Sequence, residues 1–261
     1  FKAGQYIKAP WKSISGLYPD TTEFRFRTPY SVGSSGSMTI VQKDSDWAIS
    51  LQDNGTTDNY GHLRFAISAS NGTSKYITSS LQKFYNDEMW SVMLTRKSSS
   101  GADFLDTHAS SSVFTASYEL TTKQYDSTRQ KILYQDSQSL VVTQSQFNGA
   151  YTSSGQLYLG GSGSLFGTQF SGSLMEFRLW SEALSGSVFN NHVRTPKAYN
   201  GNTSASSYDN LLFRLPLDDD KNLQTNPTAS EISYLNTYQG DISGSNINGF
   251  TGNFYRTLVD Q

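Results

Sequence analysis

The sequence predicts an all-β fold, an antiparallel β-sandwich or jelly roll, and two observations predict it. Nearly every apolar segment alternates with a period of two, as strands with one buried face do. Between these segments stand turn pairs such as Asn54-Gly55, Asn71-Gly72, Asn148-Gly149 and Gly160-Gly161, followed by Gly163. Asn-Gly between alternating runs is a strong hairpin signal, because both residues tolerate positive φ. The 261 residues allow a large core, since a chain of this size buries roughly 70–75% of the surface it exposes when unfolded.

Taken in order, Phe1 to Ile7 reads as a strand already in progress, which predicts that the chain is a piece of a longer protein. Phe24, Phe26 and Thr28 then alternate with Glu23, Arg25 and Arg27. Met38, Ile40 and Gln42 form the next row, followed by Trp47, Ile49 and Leu51, and by Leu63, Phe65 and Ile67. Trp90, Val92 and Leu94 oppose Ser91, Met93 and Thr95. Leu157 and Leu159 flank Tyr158. In the segment 174–180 the row Met175, Phe177, Leu179 is expected to face the core, and Leu174, Glu176, Arg178, Trp180 to face away.

One helical segment is expected, over 183–193, where Ser185 caps a turn burying Val188, Phe189 and Val193. It ends before Pro196, as a helix should. Residues 196–208 read as loop and 211–217 as a further strand, and 218–261 as irregular sequence rich in Asn, Ser and Gly. The expected organisation is a sandwich over 1–185, a linker with a short helical turn over 186–210, and a region 211–261. That last region is either an extension or the start of a following module.

Composition narrows the function. Twenty basic and 22 acidic residues give a net charge of -2 with no basic stripe, so a nucleic-acid partner is not expected. Charged residues are 16% of the chain, Ser, Thr, Asn, Gln and Gly filling the deficit. That is the surface of a secreted or particle-exposed β-protein. With no cysteine there is neither disulfide nor thiolate metal site. Extracellular animal modules usually carry disulfides, which points to a bacterial or viral source. No apolar run reaches the ~20 residues of a membrane helix, so membrane insertion is not expected.

Five segments, in order, resemble the laminin G-like/concanavalin A-like family: Phe1-Lys-Ala-Gly-Gln-Tyr-Ile-Lys-Ala-Pro, Glu23-Phe-Arg-Phe-Arg-Thr, Asn86-Asp-Glu-Met-Trp-Ser-Val-Met-Leu-Thr-Arg, Leu157-Tyr-Leu-Gly-Gly, and Phe170-Ser-Gly-Ser-Leu-Met-Glu-Phe-Arg-Leu-Trp. The resemblance covers residues 1 to about 185. Beyond it, the run from Phe189 to Asn202 and then Tyr208-Asp-Asn-Leu-Leu-Phe-Arg is similar to a linker in large structural proteins of tailed phages, especially marine ones. The resemblance implies a structural and adhesive module on the virion surface. Its partners would be other virion proteins or neighbouring repeats of the same chain, with host-surface glycan as a further contact. The alternative is a calcium-assisted lectin module of a secreted or cell-surface protein.

Catalysis is not expected. Glucanases of this fold carry two carboxylates on one strand, where alternation sets both on one face. Here Asp87 and Glu88 are adjacent, and Glu176 and Glu182 straddle a strand end. His62, His108 and His192 have no nucleophile elbow beside them. Calcium is the metal the resemblance implies, and hard oxygen donors suit it. Asp53 and Asn54 with Asp58 and Asn59 are the first candidates, ahead of Asp44 with Asp46 and of Asp218 to Asp220. Asp and Asn also dominate turns because they bond their own backbone. Exposed aromatics would mark a sugar-contact face, the candidates being Tyr60, Tyr125, Tyr151 and Tyr199, with Trp90 read as core and Trp47 and Trp180 less cleanly so.

Overall fold

A computed structural model describes residues 1, 6–11, 18–30, 36–55, 59–69, 71–98, 116–143, 145–161, 167–215, 217, 242–245 and 253–254. In chain order the first elements are β1 (Tyr6–Pro10), β2 (Thr21–Arg27), β3 (Ser37–Lys43), β4 (Trp47–Asp53), β5 (Gly61–Ser68) and β6 (Ser74–Thr78). There follow β7 (Trp90–Ser98), β8 (Ala116–Asp126), β9 (Lys131–Val142), α1 (Ser145–Thr152), β10 (Gln156–Leu159), β11 (Thr168–Gln169) and β12 (Ser173–Trp180). The last are α2 (Gly186–Arg194), α3 (Ser206–Asp209), β13 (Leu211–Leu215), β14 (Ile242–Ser245) and β15 (Asn253–Phe254).

The fold is the antiparallel β-sandwich that alternation predicts. The larger sheet has the order β15-β14-β1-β10-β3-β4-β5-β6, with β11 beside β3, and the smaller has the order β13-β12-β2-β7-β8-β9. Every pairing is antiparallel except the short β11–β3 contact. The inner faces interdigitate through one core containing Ile7, Phe24, Phe26, Val41, Ile49, Phe65, Trp90, Leu94, Leu159, Phe177 and Phe213. All four tryptophans are fully buried. Trp11 meets Trp47 and Tyr151 edge-on at 5.0 and 5.3 Å and donates its indole N–H to the Tyr151 carbonyl at 2.7 Å. Tyr151, expected on the surface, therefore belongs to the core.

Two β-bulges move side chains off the faces that strict alternation assigns. In β3 the register slips between Thr39 and Val41. Val41 and Lys43 then pair with Ile49 and Trp47 on the inner face, while Gln42 pairs with Ala48 on the outer one. The inward Lys43 is fully buried, and its ammonium donates to Asp46, to Ser153 Oγ and to the Ala150 carbonyl. In β12 the slip lies between Met175 and Arg178. Glu176 takes a left-handed φ of 50°, as the extra residue of a bulge often does. Leu174 thereby joins Phe177 and Leu179 in the core, and Met175, opposite Arg25, turns outward. The expected row Met175-Phe177-Leu179 is thus corrected at its first member.

The outward face of the smaller sheet is roofed by α2. Ser185 is its N-cap and accepts from the Val188 N–H at 3.4 Å. Val188, Phe189 and Val193 pack with Met93, Trp180, Leu184 and Leu211 as a second apolar cluster, as the 183–193 reading anticipates. A helix not expected, α1, takes in Asn148-Gly149, read above as a turn. Beyond residue 185, β13 pairs with β12 and β14 pairs with β1. Gly163 and Asp218 to Asp220 lie outside the described residues. No helix among the described residues is long and apolar enough to cross a membrane.

Candidate functional site

Cross-strand register sets one row of side chains across the outward face of the larger sheet. Lys8 on β1 pairs with Tyr158 on β10, Tyr158 with Gln42, Gln42 with Ala48, Ala48 with Ala66, and Ala66 with Tyr76 on β6. The neighbouring row runs Thr39, Ser50, Arg64 and Thr78. Paired residues share a face, so small side chains (Ala48, Ala66, Ser50), each no more than 5% exposed, lie between two aromatic borders. On one border Tyr6 packs edge-on against Tyr158 at 5.7 Å, with the Lys8 ammonium 5.8 Å from the Tyr158 ring. On the other, the Arg64 guanidinium lies 3.6 Å from the centre of the Tyr76 ring, and Tyr76 is 48% exposed. Four strand spacings separate Tyr158 from Tyr76, or ~19 Å at 4.8 Å each.

The chemistry available on this face is stacking plus charge. Aromatic rings offer a flat apolar surface while neighbouring polar groups hydrogen-bond. Among the described residues Arg64 has no carboxylate partner, and its Nε, buried from solvent, has no hydrogen-bond acceptor. A guanidinium so placed is suited to a planar carboxylate.

Two carboxylates that share one arginine lie elsewhere, under α2. Glu23 on β2 and Glu176 on β12 both bind Arg178, at 2.9 and 2.6 Å. Arg214 on β13 grips Glu176 through two N–H groups at 2.9 and 2.8 Å. Trp180 donates to Glu23 at 3.1 Å, and the two ring nitrogens of His192 face Glu23 Oε2 and the Asn200 carbonyl at 2.9 Å each. Arg178 also donates to the Pro196 carbonyl. Burial pushes the Glu23 carboxyl up, but Arg178 and His192 together pull harder and hold it at about 2. The space left among these groups is about 10 Å³, at the lower limit for a single water. The cluster therefore ties β2, β12, β13 and α2 together and has no room for a substrate. Its members are far apart in sequence and meet only through strand pairing, so inspection for a same-strand carboxylate motif misses them.

The residues expected to bind calcium are partly placed. Asp53 ends β4, and its Oδ1 accepts from the Gly55 N–H at 2.9 Å, an Asx turn. The Asn54 N–H donates to the Tyr60 carbonyl at 3.4 Å. Asn59 has φ 58°, gives its carbonyl to the Tyr85 N–H, and keeps Oδ1 buried without a hydrogen bond. Asp58 lies outside the described residues. Asp44 Oδ2 accepts from the Gln156 N–H at 2.9 Å, and Asp46 binds Lys43. Among the described residues no three His, Cys, Asp or Glu side chains group as a metal site.

The other candidates separate cleanly. His62 Nδ1 contacts the Ser79 carbonyl at 2.8 Å, and His108 lies outside the described residues. Tyr60 and Tyr199 are exposed, and Tyr125 is half-buried against the cluster under α2. Tyr199, with Asn200, Ser204 and Ser207, borders an open depression of about 360 Å³, with the Arg214 guanidinium 5.4 Å from the Tyr199 ring. Two of its polar residues are already engaged: Asn200 accepts from Asn191 and His192, and Ser207 Oγ bonds the Gly201 N–H and the Thr203 carbonyl. Sequence reading did not single out Tyr76, Tyr158 or Arg64, because their common face exists only once the register is known.

No family model matches the chain, and no curated protein matches it. Solved structures do. A tailspike protein 2 of Escherichia coli O157:H7 bacteriophage CAB120 is similar over 81% of this chain and 25% of its own, at 10% identity and TM-score 0.47. The LG1-3 region of the laminin α2 chain is similar over 69% of this chain and 31% of its own, at 13% identity and TM-score 0.36. The CBM40 of the Ruminococcus gnavus IT-sialidase, bound to α2,3-sialyllactose, is similar over 70% and 84%, at 10% identity and TM-score 0.36. This chain thus spans about a quarter of the tailspike and a third of the laminin region.

Proposed function

We propose that the chain is a non-enzymatic display and contact module of a virion-surface protein, holding a carboxylate-bearing glycan across the outward face of its larger sheet. The observation that carries the glycan reading is the exposed Tyr76 stacked on Arg64, on the same outward face as Tyr158, Tyr6 and Lys8. The phage-like run from Phe189 to Asn202 supports the virion setting, as does the low ionic content of the chain. The buried Glu23–Glu176 pair, consumed by Arg178 and Arg214, supports a module without hydrolytic chemistry.

Glycan-array binding of the wild type, Tyr76→Ala and Arg64→Ala tests the contact. Binding to uronate- or sialate-bearing glycans is expected to fall ~2–10-fold in Tyr76→Ala and at least ~10-fold in Arg64→Ala, since a stacked ring is worth about 0.5–1.5 kcal/mol and a charged hydrogen bond about 1.5–3 kcal/mol. An array without signal, or variants that bind as the wild type does, refutes it. Particle proteomics tests the setting, with stoichiometric copy number expected.

A calcium-assisted lectin is the second reading, favoured by the orphaned Asn59 Oδ1 beside the β4–β5 turn. Asp53 and Asn59 would supply oxygen donors to a hard cation that orders the loop. Calorimetric titration with calcium chloride, repeated on Asp53→Asn, decides it; absence of heat in the wild type removes the reading.

A further inference from the structure

β9 ends the smaller sheet. It pairs with β8 along one edge, and among the described residues no strand pairs with the other. At 12 residues it is the longest strand, contains no proline, and carries Asp136 as its one charge beyond the leading Lys131. Asp136 is engaged on the core side, accepting from the Ser80 N–H and Oγ at 2.8 and 2.9 Å. Leu133, Tyr134 and Val141 are 40%, 47% and 60% exposed, three of the eight large hydrophobic side chains exposed among the described residues. A long apolar edge with its N–H and C=O groups unpaired is a template for another strand.

We infer that this edge pairs with the β9 edge of a second copy of the chain, antiparallel about a two-fold axis at Ser137. The sequence of the strand selects both partner and register. A two-fold axis normal to a continuous sheet sets one residue opposite its own copy. With Ser137 at the axis, Asp136 meets Gln138, Gln135 meets Ser139, Tyr134 meets Leu140, and Leu133 comes alongside Val141. Polar residues meet polar ones at the centre and apolar residues meet apolar ones at both ends. Shifting the axis to Asp136 opposes two carboxylates, which destabilises a cross-strand pair. Shifting it to Gln138 sets Asp136 against Leu140. The strand is its own complement in one register, as an isologous interface requires.

The chain has no cysteine, so a single introduced one reads the register directly. Directly opposed residues in an antiparallel pair have Cα atoms ~4.5–5.5 Å apart, within the ~4.4–6.8 Å a disulfide spans. Residues 139 of the two copies would be four positions out of register, ~13 Å apart. Ser137 and Ser139 are both exposed, so neither change disturbs the core. Sedimentation equilibrium of the wild type is expected to show a dimer that Val141→Lys dissociates with its thermal midpoint kept. Under mild oxidant Ser137→Cys is expected to crosslink and Ser139→Cys to stay largely uncrosslinked. A wild type that is monomeric throughout, a Val141→Lys protein that stays dimeric, or crosslinking of Ser139→Cys as fast as Ser137→Cys overturns the inference.

Discussion

Replacing Glu23 by Gln keeps the shape of the side chain and removes the charge that Arg178, His192 and Trp180 all address. In the folded protein Glu23 titrates at about 2 against an ordinary 4.5. A depressed carboxylate pKa contributes stability that is fully present above the unfolded value and lost as pH falls through the folded one. That difference corresponds to about 3 kcal/mol at pH 7, most of it still present at pH 4.5 and little of it left at pH 2. At pH 7 the variant also leaves Arg178 short of one buried counter-charge, and breaking such a pair costs about 3–5 kcal/mol. Urea unfolding of both proteins at a series of pH values measures this. The wild type is expected to exceed Glu23→Gln by about 3 kcal/mol or more at neutral pH, with the gap closing between pH 4.5 and 2. A gap independent of pH, or two proteins of equal stability at pH 7, would refute the assignment of Glu23 as an ionised hub.

Asp20 should behave oppositely. Burial raises its carboxyl to about 6 although Arg96 lies 3.1 Å away and opposes the shift, so its ionisation weakens the fold as pH rises from about 4 to 6. Asp20→Asn should therefore gain on the wild type by up to about 3 kcal/mol across that window in the same urea series. Ser185→Ala removes the cap of α2 and should cost about 1 kcal/mol by thermal melting, the typical value of an N-cap. Gly161→Ala places a Cβ 2.8 Å from Thr39 Cβ at φ +75° and should cost more than about 1 kcal/mol, both space and backbone being unfavourable. Equal melting of that variant and the wild type would show that the turn after β10 can shift away from β3.

What the sequence made legible is what periodicity carries. Phe24 and Phe26, Trp47 to Leu51, Leu63 to Ile67 and Trp90 to Leu94 lie on the faces that alternation assigns. So does α2, because Ser185 marks its start and Val188, Phe189 and Val193 mark its buried side. The bulges after Thr39 and at Glu176 leave no compositional mark, and each reverses which side chains face inward from that point on. Strict alternation therefore puts Gln42 and Met175 on the wrong face and gives no sign of the inward Lys43. α1 was missed for a related reason: Asn148-Gly149 has turn chemistry, yet Phe147 and Tyr151, four residues apart on one helical face, bury fully and override it.

The outward face of the larger sheet stands one step further from the sequence. Ala48, Ala66 and Tyr76 are unremarkable singly, and Tyr158 reads as the polar partner of two leucines. Only the β10-β3-β4-β5-β6 order makes them one row. That row owes its alignment to the β3 bulge, since without the slip between Thr39 and Val41 residue 42 would point inward and leave Tyr158 without a neighbour on its own face. A defect in the alternation of one strand is therefore what keeps Tyr158 and Tyr76 in one row of the outward face.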